Sequence, residues 1–286
     1  MTELIELVRV ELAEPVDERV TRLAEAIAAQ HGAASRAVLF YGSCLREAKL
    51  DGLMLDFYLI VSDYRAAYGK RWLALANRML PPNVFPFEAD GLVAKYAVLS
   101  EVDFHRLNGP ETRNVSVWAR FAQPSRLVWT RDQGAGERAV AAVARAAPTL
   151  LGSAVEQTGP FDDSLELWRR AFALTYSAEL RAERKGRSGS VVDADPDRYR
   201  TFTASALAAA LPTTSGWTRR RIEGKALSIA RLAKASVTFA GGVNYIVWKI
   251  NRHAGTTIEV KPWQRRHPLL AAVSLLPQLL RSGAIR

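Results

Sequence analysis

One aspartate, Asp56, stands inside an otherwise apolar run, residues 53–61 (LMLDFYLIV), and no other feature restricts the folds open to this chain so sharply. A short segment that is apolar on both sides of its backbone reads as a buried strand. An ionised carboxylate in such a strand costs several kcal/mol unless a cation or a metal ion pairs with it. Asp56 therefore calls for either a strand-end salt bridge or a ligand site, and neighbouring elements must build it.

The nearest such element is a second apolar strand over residues 37–41 (AVLFY), which leads directly into Gly42 and Ser43, with Asp56 following 13 residues after Ser43. A Gly-Ser pair after a strand is ordinary turn chemistry. It also suits a phosphate, because glycine lets the backbone approach closely while the serine hydroxyl and free N–H groups hold oxygens. An aspartate on the adjoining strand then suits Mg²⁺, which takes oxygen ligands and bridges to substrate phosphates.

The surrounding periodicity gives an α/β fold. Val20, Leu23, Ala24 and Ile27 form one stripe of a helix over 16–30, and a helix over 64–80 is stopped by Pro81 and Pro82. A third strand is read over 92–99 and a closing strand over 126–130, which makes a mixed sheet with helices and an N-terminal domain of residues 1–150. Helical patterns follow over 134–147, 163–183, 197–211 and 219–234, so residues 151–286 read as a mainly helical domain, with joints at 185–190 and 212–216. Hydrophobic residues at 49% and charged ones at 24% suit packed globular structure.

Charge divides the chain unevenly. From position 217 onward 13 Lys and Arg face two acids, a balance of +11, which leaves −1 for the preceding 216 residues against +10 overall. Lys249, Arg252, Lys261, Arg265 and Arg266 interleave with Tyr245, Trp248 and Trp263, a mixture suited to an anionic membrane surface. RNA attracts the same cations, but the placement of charge beside aromatic residues and the missing RNA-binding modules argue against nucleic acid. The acidic first 19 residues carry no import or secretory pattern, and no run of 18 apolar residues occurs, so a cytoplasmic protein peripheral to the membrane is expected.

Gly-Ser followed by an aspartate in an apolar strand resembles the layout of the nucleotidyltransferase superfamily, whose members mostly carry a carboxylate pair at i and i+2. Here Met54 occupies the i−2 position. That departure points to one family: Tyr41-Gly42-Ser43 and Met54-Leu55-Asp56-Phe57 are similar to the YGSG and MIDF motifs of the mitochondrial-type phosphatidate cytidylyltransferases, also called the mitochondrial translocator assembly and maintenance protein family. The strings beginning at Ala94 (AKYAV), Trp118 (WARFAQP), Leu174 (LTYSAELR) and Lys234 (KASVTFAG) resemble further motifs of that family in the same order. Ala178 and Glu179 stand where its fifth motif has Gly and Asp.

The resemblance implies that CTP and phosphatidic acid are converted to CDP-diacylglycerol and pyrophosphate with Mg²⁺. It assigns Asp56 to the metal, Lys95 to a phosphate, and Gly42, Ser43, Arg120, Tyr176, Ser177 and Arg181 to substrate binding. By alternation Lys95 lies on the strand face opposite Ala94 and Tyr96. Surface pairing competes with these roles for Arg120, Arg126 and Arg181. Glu88 is read as a loop acid, Asp51 as a turn residue with Gly52, and Cys44 as a small buried filler. The four histidines have no metal-ligand spacing. Rival readings are a related transferase with another acceptor, an RNA end or a small molecule, and an inactive lipid-surface binding protein.

Overall fold

The strand β2 (Met54–Val61) is the middle one of a five-stranded sheet, as its two-sided apolar pattern requires. The others are β1 (Ser35–Tyr41), β3 (Asn83–Ala89), β4 (Leu92–Ser100) and β5 (Ser125–Thr130), in the order β3-β4-β2-β1-β5. The sheet is mixed: β2 and β4 run parallel, and every other neighbouring pair is antiparallel. This computed structural model describes residues 2–47, 50–158, 161, 163–179, 191–211 and 216–238. Arg181, the joint over 185–190, most of that over 212–216 and the basic stretch from 239 onward lie outside the described residues.

Helices cover both faces. On one side Val38, Phe40, Phe57, Leu59 and Tyr96 pack with α2 (Glu18–Ala29), α4 (Tyr64–Ala67) and α5 (Arg71–Met79). On the other, Leu39, Tyr58, Ile60 and Leu99 join a larger cluster with α1 (Thr2–Ala13), α6 (Glu101–Asn108), α7 (Trp118–Phe121), α8 (Gln133–Val143), α9 (Ala146–Thr158), α10 (Ser164–Ala178) and α11 (Pro196–Ala208). Position 150 falls within α9, and this cluster continues from Leu4 to Trp217. The short α3 (Ser43–Glu47) follows β1 directly, and the long α12 (Trp217–Thr238) packs on α10 and β3.

Aspartate caps set several helix starts. Asp17, Asp63, Asp132, Asp163 and Asp195 each accept a hydrogen bond from a first-turn backbone N–H, and Pro196 supplies a preset φ where its missing N–H costs nothing.

Four readings of the sequence are corrected. The helix over 64–80 is two helices, separated around Gly69, and that over 134–147 breaks at Ala144 and Arg145 into α8 and α9. A strand was missing ahead of β4. Glu88, read as a loop acid, lies exposed in this strand, β3. Pro86 is compatible with β3 because this is an edge strand, where a missing donor is tolerated. The overlooked signal was Asp90-Gly91, both at positive φ between the paired Ala89 and Leu92, the chemistry of a two-residue hairpin turn. Helices α1, α6 and α7 also went unread.

Candidate active site

Strand register brings the sequence-selected residues together. Tyr41 stands opposite Asp56, and Asp56 opposite Lys95, so side chains from β1, β2 and β4 meet in one row on the side of the larger cluster. Lys95 Nζ lies 2.6 Å from Asp56 Oδ1, an ion pair with about a fifth of each side chain exposed (22% and 20%). A neighbouring cation thus meets the need of the buried carboxylate, and the pair stays open to a ligand.

Gly42 closes over it. Its φ is +97°, and a Cβ there would lie 3.0 Å from Asp56 Oδ2, so both backbone conformation and this close approach disfavour a side chain. Ser43, half-buried, begins α3 immediately beyond. Cys44 behind it is buried, with Sγ donating to the Met54 carbonyl at 3.4 Å, a packing role.

Arg120, on α7, enters from the helical side. It donates to the Ser116 carbonyl and lies 3.9 Å from the buried Glu179 carboxylate. Burial opposes its charge, but Tyr58, Glu179, Tyr41 and Asp56 together outweigh this and raise its pKa. Burial also raises the Tyr41 and Tyr58 hydroxyls, which thus remain protonated.

The helix α12 contributes cations to which the sequence reading gave no role. Arg231 donates from Nε to the Pro81 carbonyl at 3.0 Å and from Nη1 to Ser116 Oγ at 3.0 Å; burial lowers its pKa, against the opposing pull of Glu179 and Tyr58. One turn on, Lys234 Nζ donates to the carbonyls of Pro82, at 2.7 Å, and Leu80. Burial, with the nearby Arg231 charge, lowers its pKa to about 7. Arg220 is also turned inward, bonded to the Thr112 carbonyl at 3.0 Å with its guanidinium 5.9 Å from each of the Trp118 and Trp217 rings. Part of the basic segment therefore faces the protein interior. Its i, i+3 spacing of Arg231 and Lys234 was the available signal, hidden in a basic segment read as facing an anionic surface.

Gly42, Ser43, Asp56, Lys95 and Arg120 gather in this region. Tyr176 is half-buried against the larger cluster, and Ser177 is exposed, donating to the Leu174 carbonyl at 2.7 Å and accepting from Arg221 at 3.2 Å. Elsewhere Arg126 pairs with Glu14, and the exposed Asp51 pairs with Arg19 at 3.0 Å. Lys95 thus pairs with Asp56 and Arg120 with Glu179, and Arg231 lies within electrostatic reach of Glu179. Such a cluster can hold an anion bearing several charges and stabilise charge that builds on it.

No protein-family profile matches the chain, and no curated protein does. Among solved structures, a nucleotidyltransferase-like protein from Exiguobacterium sibiricum 255-15 is similar over 92% of each chain at 11% identity and a TM-score of 0.29, too slight a likeness to assign a fold or an activity.

Proposed function

We propose that the chain is a nucleotidyltransferase that uses CTP as donor and phosphatidic acid as acceptor, yielding CDP-diacylglycerol and pyrophosphate. The observation that carries the transferase reading is the Asp56–Lys95 pair directly beneath Gly42, where a carboxylate, a cation and an uncovered backbone turn share one spot. The choice of nucleotide and lipid rests on the ordered motifs from Tyr41 to Lys234.

The residues suit Mg²⁺ only as a water-rich ion shared with substrate. Asp56 supplies one hard carboxylate whose Oδ2 faces the space kept clear at Gly42, and among the described residues no cluster of three or more acids, histidines or cysteines exists to enclose a metal. Bound there, the ion would neutralise triphosphate charge. Gly42 and Ser43 cradle phosphate oxygens through the turn, while Lys95 and Arg120 stabilise the charge that grows on the departing pyrophosphate. A phosphate oxygen of the acceptor attacks the α-phosphorus of CTP, and the bond to the β-phosphate oxygen breaks. A phosphate monoester is already nucleophilic near neutral pH, so the chain's task is alignment and charge stabilisation rather than proton removal.

Purified protein incubated with radiolabelled CTP, Mg²⁺ and a panel of acceptors tests this. Labelled CDP-diacylglycerol with phosphatidic acid is expected. Transfer only to RNA ends or small molecules would replace the acceptor, and inactivity with every nucleotide and acceptor would leave a binding protein.

A further inference from the structure

The hairpin of α4 and α5 carries a surface that the catalytic reading does not use. Residues 64–82 contain four cations, Arg65, Lys70, Arg71 and Arg78, and no acid. None of these four side chains forms an ion pair or hydrogen bond among the described residues. Two carboxylates that border the hairpin are engaged: Asp63 caps α4, and Asp103 accepts from the Tyr64 hydroxyl and from Arg106, both at 2.6 Å. Arg65, Arg71 and Arg78 line, with Tyr64 and Tyr68, a cavity of about 730 Å³.

Beside the cavity α5 turns an apolar stripe to solvent. Trp72, Leu75 and Met79, at i, i+3 and i+7, are 48%, 58% and 75% exposed. The helix is not loosely held, since Ala74 is buried and Asn77, also buried, donates to the Val98 carbonyl at 2.9 Å. A rigid helix with three adjacent large apolar side chains in water, flanked by unpaired arginines, is costly unless something covers it.

We propose that α4 and α5 form a docking surface for an anionic phospholipid bilayer, with a lipid phosphate in the arginine cavity and Trp72, Leu75 and Met79 in the headgroup layer. Charge complementarity selects an anionic partner. The stripe selects lipid over nucleic acid, because Leu75 and Met79 are flexible aliphatic chains that gain from the acyl boundary and offer no plane for a base to stack on. The surface lies across the sheet from Asp56, since Ala74 packs in the cluster on the opposite face, so it stands independently of the proposed reaction.

Flotation of the full chain with vesicles tests the assignment, using phosphatidylcholine alone and phosphatidylcholine mixed with phosphatidylglycerol. The protein should float only with the anionic vesicles. R71Q/R78Q should weaken partitioning about 25-fold, roughly fivefold for each lost charge near an anionic surface. W72A should weaken it further, and Arg200→Gln, an exposed arginine already paired with Asp197, should leave it unchanged. Circular dichroism melts establish that the variants fold. The proposal is overturned if no vesicle binds, if R71Q/R78Q floats like wild type, or if the surface serves only single-stranded RNA or self-association, read by RNA binding and by sedimentation without vesicles.

Discussion

Gly42 bears two constraints at once, a positive φ and the close approach of Asp56 Oδ2, so Gly42→Ala strains the turn and displaces the carboxylate together. The substitution is expected to cost about 1–3 kcal/mol in chemical denaturation and to suppress nucleotidyl transfer. Wild-type turnover in a folded Gly42→Ala protein would remove the turn from the site. Lys95→Met leaves Asp56 without its 2.6 Å partner and removes a cation from the substrate, for an expected loss on the order of 100-fold in kcat/KM. Gly42, Asp56 and Lys95 were legible in the sequence because each breaks a local rule: a glycine ending a strand, and two charges inside apolar strands. Glu179 and Arg231 break none. An acid just past a helix end and a base within a helix are ordinary, and only packing of α7, α10 and α12 brings these two towards Arg120.

Among the elements, α12 has the clearest measurable signature. Lys234 titrates normally near 10.5 but near 7 in the fold, where burial disfavours its charge. Between those values the unfolded chain holds a proton that the folded protein has shed, so this group makes stability rise with pH from about 7 to 10.5. Urea melts across that window should show a smaller rise for Lys234→Met than for wild type. Equal slopes would mean that Lys234 is not buried against the Leu80 and Pro82 carbonyls. The central strands were readable since two-sided burial leaves a continuous apolar run, as in β1 and β2. The edge strand β3 was not, because with intermediate burial and Pro86 its pattern is diluted, and its existence depends on pairing with β4. Likewise Gly69 splits a run whose apolar period continues across the break, so periodicity alone joined α4 to α5.

At the scale of the molecule, distant segments are tied by charge as well as by apolar packing. Arg198 on α11 bonds Glu11 on α1, both 7% exposed, and its guanidinium also donates to the Ala122 carbonyl at 3.0 Å. Glu11→Ala strands a buried guanidinium and should cost about 3–5 kcal/mol in thermal or urea unfolding. A loss below 1 kcal/mol would show that water reaches the site. The α/β class could be read from the order of apolar runs, while such long-range ties could not, as nothing local distinguishes Glu11 from the other acids of α1. The central claim, that Asp56 anchors nucleotidyl transfer, is tested most directly by comparing wild type with Asp56→Asn, an isosteric change that removes only the charge. With labelled CTP, phosphatidic acid in mixed micelles and Mg²⁺, wild type should form CDP-diacylglycerol and the variant, folded by circular dichroism, should form essentially none. A folded Asp56→Asn protein that turns over at the wild-type rate would contradict the account.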